Sequence, residues 1–202
     1  MPDMSTVMKA KLTADNTYPG VSRLACNSCW SVIAGQQSQS DVVSGDYWAS
    51  LAGTGSVGNV SLGTVASGFY YFNLSPGPGP GGWNGPGRLS TKNLELGQTG
   101  LPGNVNMEIW GGAPGTQHDQ IKVTGTVTLA GDIALNLDVS PAFVPTLGQQ
   151  LVLIDNDGTD PIGGTFASFP EGKTLTFNGS TYRLSYVGGD GNDLVLVCVL
   201  VG

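Results

Sequence analysis

Five aspartates in two short segments have the chemistry to hold a hard cation. "DNDGTD" carries Asp155, Asp157 and Asp160, and "GGDGNDLVL" carries Asp190 and Asp193. The second segment fits G-G-x-G-x-D-x-U-x, the nonapeptide that binds calcium in stacked β-rolls. There each turn supplies half a site, and calcium takes roughly six to eight oxygen ligands. One copy cannot complete that shell, and the sequence holds no second copy. Gly188, Gly189 and Gly191 predict a turn instead, with Asn192 and Asp193 closing a hairpin between "YRLSYV" and "DLVLVCV". "DNDGTD" fails as an EF-hand loop. Counted from Asp155, its sixth and twelfth positions are Asp160 and Phe166, where glycine and glutamate are required. It reads as an acidic surface loop that could hold an adventitious cation. No metal or cofactor is expected.

Other spacings fail for stated reasons. "GTGSVG" (53–58) spells G-x-G-x-x-G, but no helix pattern follows and no acid lies between Asp46 and Glu95. Cys26 and Cys29 form C-x-x-C. With Cys198 and His118 they make a Cys3His set on paper, without zinc-like spacing. They read as small buried hydrophobes or as a local disulfide. His118 is the only histidine and no G-x-S-x-G elbow is present, which removes a serine triad. On a strand, His118 and Asp119 would face opposite ways. A pair of acids from distant strands could hydrolyse a glycoside, but the acids are few and mostly at predicted turns. The chain is therefore expected not to be an enzyme. An enzyme acting on polysaccharide is the remote alternative.

The aromatic side chains are better placed for recognition. Trp48, Tyr70, Tyr71, Trp83 and Trp110 lie near glycine-rich loops. They read as subunit-contact anchors, with a sugar-stacking platform as the alternative. Met4, Val7, Met8 and Leu12 have helix-like spacing, and an N-terminal docking arm fits equally well, so Met4, Val7 and Met8 join the interface candidates.

The elements that must carry these residues are strands. From Asp119 to Ser140 apolar and polar residues alternate: Ile121, Val123, Val127, Leu129, Ile133, Leu135, Leu137, Val139. "QLVLI" (150–154), "KTLTF" (173–177), "TYRLSYV" (181–187), "GFYYFNL" (68–74) and "NVNMEIW" (104–110) continue the pattern. "DLVLVCVLV" (193–201) is apolar on both faces and predicts a central or interface strand. The expected fold is all-β, a β-sandwich or solenoid-like stacked layers, with Gly-rich turns and little or no helix. "PGPGPGGWNGPG" (76–87) forbids helix and ladder alike. It reads as a linker or a long loop, dividing a region 1–87 from a module 88–202.

Composition narrows the partners. Glycine is 32 of 202 residues, more than twice the usual share of about 7%. Charged residues are 11%, less than half the usual ~25%. Between Arg23 and Arg88 the only charges are Asp41 and Asp46, which suits a surface packed against something. The net charge of −7 argues against nucleic acid. No apolar run reaches a membrane span, and no signal-peptide core is visible near the start.

From Leu89 to about residue 197 the sequence resembles a known kind of module. "HDQIKVTGTVTLAGDIALNL", "GGTFASFPEG" and "YRLSYVGGDGNDLVL" match in turn x-D-x-[IL]-x-V-x-G-x-V-x-L-x-G, G-x-F-x-x-[FL]-P-x-G and Y-x-G-G-x-G-N-D-[LV]-x-L. This is similar to the C-terminal module of autotransporter-like, β-strand-repeat surface proteins of bacteria. The resemblance implies a structural spacer or adhesive stalk. Such modules end long exported proteins, whereas the first 88 residues here match no such pattern.

Two functions follow as expectations. The first is a structural virion protein, a phage capsid decoration (cement) or fibre protein on the virion surface. It would be an intact homo-oligomer, trimer favoured, that touches other virion proteins such as the major capsid protein. The second is a bacterial extracellular adhesin or stalk module that contacts surface glycans.

Overall fold

The computed structural model describes residues 9–15, 19–24, 29–44, 48–62, 71–79, 85–97, 102–130 and 132–202. Among them there is no helix. The strands are β1 (Lys9–Leu12), β2 (Gly20–Leu24), β3 (Cys29–Ile33), β4 (Gln36–Gln37), β5 (Ser40–Ser44), β6 (Trp48–Gly53) and β7 (Ser56–Val57). Then come β8 (Val60–Leu62), β9 (Tyr71–Pro76), β10 (Arg88–Thr91), β11 (Leu94–Leu96), β12 (Gly103–Ile109), β13 (Gln120–Val123) and β14 (Val127–Leu129). The last are β15 (Ile133–Val139), β16 (Gln150–Asn156), β17 (Thr174–Phe177), β18 (Ser180–Gly188) and β19 (Asp193–Leu200). The fold is all-β, as the alternation predicts. Leu12, read in a helix-like spacing, lies in strand β1.

The strands form three sheets. The first runs β1-β3-β6-β9-β12-β15, the second β14-β11-β8-β5-β2, and the third β17-β18-β19-β16-β13-β10-β7-β4. From β2 to β16 the chain visits second, first and third sheet in turn, five times over. Each strand lies parallel to its counterpart one circuit earlier, as in Val42↔Val60, Leu51↔Leu74 and Leu89↔Ile121. Parallel neighbours need a long crossover; here the other two sheets are the crossover. All three sheets run across position 87/88, through β7–β10, β8–β11 and β9–β12 pairing.

This register stacks like on like. Leu51, Leu74, Val105 and Leu135 form one inward ladder of the first sheet, and Leu62, Leu96 and Leu129 one of the second. All seven are at most 4% exposed. Burying each such side chain contributes about 1.5–3 kcal/mol. In the next ladder Phe72 pairs with Gly103. A Cβ at Gly103 would lie 2.1 Å from the Phe72 ring, so only glycine fits beneath it.

The stack ends in an antiparallel cap. β17, β18 and β19 form a meander, and β19 lies between β18 and β16, antiparallel to both. That central place explains its two apolar faces: Leu194, Val195 and Leu196 are all fully buried. The turn predicted at 188–192 joins β18 to β19, with Gly189 and Gly191 at φ 58° and 123°. The segment before the meander covers the open edge of β14: Leu129 N–H donates to Gly163 O and Gly163 N–H to Val127 O. Phe166 is packed under the cap, and the Tyr186 hydroxyl ties it there, accepting from Phe166 N–H at 2.9 Å and donating to Phe169 O at 2.8 Å. Burial pushes the Tyr186 phenol up to about 12.

Candidate functional site: the outer face of the first sheet

Period two sends every second residue of the first sheet away from the core. One outward row is Trp30, Ser50, Asn73, Asn104 and Ala134. Beside it Trp48 pairs with Tyr71. Trp48 is 57% exposed, and its ring lies 5.3 Å from that of Tyr71, tilted by 37°. The Asn104 amide donates to the Tyr71 hydroxyl and, at 3.2 Å, to Asn73 Oδ1. The result is a half-exposed platform of aromatic rings edged by amides. Its rungs are held about 4.8 Å apart by the ladder. From Trp30 to Ala134 the row carries no carboxylate, ammonium or guanidinium, nor does the Trp48–Tyr71 pair; Lys9 of the edge strand β1 stands in register beside Trp30.

Further along, the outward residues of the central strands are sealed, while Lys11, Asn136 and Asp138 on the edge strands stay exposed. Val32, Ala52, Ser75, Asn106 and Glu108 are 1, 2, 1, 5 and 3% exposed. A brace lies over this end. Glu108 Oε2 accepts from Gly85 N–H at 3.0 Å. Asp119, fully buried, accepts from Gly87 N–H at 2.7 Å and from Glu108 N–H at 2.8 Å. Two carboxyl groups, Glu108 in β12 and Asp119 just before β13, thus pin 85–87. Burial raises the Asp119 carboxyl to about 8 and outweighs the two amides that favour the anion, and the Glu108 charge adds to the rise. Glu108 is raised by burial too, against its bond from Gly85.

His118 stands next in sequence but points elsewhere. Its Nδ1 lies 3.2 Å from Gly111 O and its Nε2 3.3 Å from Val152 O. Burial lowers its pKa despite those carbonyls. Each of these groups is hydrogen-bonded to the backbone.

The remaining candidates fall into three places. Of the aspartates, Asp155 pairs with Lys122 at 3.3 Å on the surface, where an ion pair contributes little. Asp157 and Asp190 are exposed, and Asp160 is half-buried. Asp193 is buried and accepts from Asn156 N–H at 2.8 Å. Its carboxyl is raised by burial first, against that bond, with Asp190 and Asp155 adding. Cys198 is a free, buried thiol. Met4, Val7, Met8, Cys26, Tyr70 and Trp83 lie outside the described residues. Among the described residues no three His, Cys, Asp or Glu side chains gather as a metal cluster.

The brace is what the sequence hides. In "NVNMEIW" the alternation puts Glu108 outward with Asn104 and Asn106, hence in water. Its burial depends on Gly85, more than twenty residues away. The one local signal is an acid directly before a strand, at Asp119. No family model, no curated protein and no solved structure matches this chain.

Proposed function

We propose that the chain is a non-enzymatic structural protein of an assembly, a phage capsid decoration or fibre protein built as a β-solenoid. It acts through homo-oligomer contacts, three copies being favoured, and through contacts with the capsid. The cyclic visit to three parallel sheets supports the solenoid over the sandwich. One observation carries the functional reading. From β3 to β15 the outer row of the first sheet is uncharged, half-exposed and flanked by Trp48 packed on Tyr71. Exposed aromatic rings with amides around them are the composition of protein-contact anchors. The two buried carboxylates support a bracing role, since both accept from backbone amides.

The same face favours one second reading, a bacterial surface adhesin. A ring edged by amide donors and acceptors is also how a glycan is held. Mass spectrometry of purified virus particles separates the two. The first reading expects this chain among the particle proteins. Recovery only in the envelope fraction of a bacterium would transfer it to the second. Release of reducing sugar from a polysaccharide would contradict both.

A further inference from the structure

The two acidic segments meet. Asn156 ends β16 and is 1% exposed; Asn192 precedes β19 and is 4% exposed. Both amides donate to one carbonyl: Asn156 Nδ2 to Asp160 O at 2.7 Å, and Asn192 Nδ2 to Asp160 O at 3.0 Å. Asn192 Nδ2 also reaches Asp157 O at 3.2 Å. Their nitrogens are thereby fixed toward the main chain of 157–160. Turning either amide over would set its oxygen against a carbonyl. Yet Asn156 Oδ1, Asn192 Oδ1 and Asp160 Oδ2 are buried with no hydrogen-bond partner.

Buried polar oxygens are nearly always paired. Here three unpaired acceptors belong to residues that one carbonyl, Asp160 O, joins. A water has two hydrogens and cannot serve all three at once. A cation can. The surroundings are negative: Asp157 and Asp190 are exposed nearby, and Asp193 is buried behind Asn156. The Lys122 ammonium is committed to Asp155. The oxygen set is two amides and one carboxylate.

We propose that Asn156 Oδ1, Asn192 Oδ1 and Asp160 Oδ2 are ligands of a hard divalent cation of the calcium class, bound where the loop after β16 meets the β18–β19 turn. Neutral amide oxygens and an irregular shell suit calcium, whereas magnesium demands strict octahedral geometry and gives up water reluctantly. Waters complete the shell. The single glycine-aspartate segment at 188–193 thus finds its other half in "DNDGTD" instead of in a second copy of itself. The ion would tie the cap to the stack, whatever the stack docks on, so this site stands apart from the function proposed above.

The test uses the full chain stripped with a chelator, then titrated with calcium chloride by calorimetry while thermal unfolding is followed in parallel. One site per chain is expected, with a dissociation constant of about 1 mM or tighter, together with a higher unfolding temperature in calcium. Asp160→Asn keeps the side-chain shape and removes the charge. It should weaken binding about tenfold or more while the calcium-free unfolding temperature stays close to that of the parent. Glu95→Gln, an exposed acid on β11, should bind as the parent does. No heat and no thermal shift at several times that concentration would overturn the site. So would equal affinity in Asp160→Asn, and magnesium chloride binding more tightly than calcium would overturn the assignment of the ion.

Discussion

Two ends of one sheet behave oppositely. At the beginning of the strands of the first sheet, the outward residues Ser50, Asn73 and Asn104 stay half-exposed around Trp48 and Tyr71. A few residues on, Ala52, Ser75 and Asn106 point the same way from the same strands and are buried. Strand alternation is identical at both ends. At the buried end residues 85–87 are pinned to the sheet by Glu108 and Asp119. Burial on an outward row therefore depends on more than alternation. The sealed end is tied down by these bonds, and the open end is the face on which the proposed partner would dock.

Breaking the seal should have the largest effect. Asp119→Ala leaves the Gly87 and Glu108 N–H groups buried without an acceptor, each worth about 1–3 kcal/mol. We expect a loss of about 2–4 kcal/mol, read by denaturant unfolding. Next comes Gly103→Ala, which drives a methyl into the Phe72 ring. Overpacking of this kind costs about 1–3 kcal/mol. Phe72→Leu in the same chain should recover part of that loss if the clash is the cause.

The pH response sharpens the same contrast. The native state keeps Asp119 protonated up to about 8, while an unfolded aspartate releases its proton near 3.8. Across that window the folded chain binds the extra proton. The contribution of Asp119 to stability is thus fully present below the lower value and is lost as pH rises through the upper one. Unfolding midpoints measured from pH 4 to 9 should fall with rising pH, and Asp119→Asn should flatten that fall. An equal slope in the variant would remove the brace from the account. At the open end Trp48→Ala should have the smallest effect on the isolated fold, about 0.5 kcal/mol or less, because the ring is 57% exposed.

How much of this the sequence discloses depends on the range of the cause. Strands such as Ile133–Val139 and the glycine turn at 188–192 are legible because period two and positive φ are local demands. The strand pairing is not. Leu51, Leu74, Val105 and Leu135 look alike in isolation, and nothing in their spacing says that they stack, because the circuits differ in length. Gly20 pairs with Ser40 but Val60 with Leu94. Glu108 reads as exposed for the same reason: its cover is distant in sequence. Trp48 and Tyr71 stand out as candidates by residue type alone, and the register sets them side by side.

The central claim is that the open aromatic and amide face is where this protein meets its neighbours. Sedimentation of the purified chain across a wide concentration range, beside Trp48→Ala, tests it most directly. The account predicts an oligomer, a trimer by expectation, that shifts toward the monomer when the ring is removed. A parent chain that stays monomeric at every concentration, with the variant indistinguishable from it, would contradict the claim.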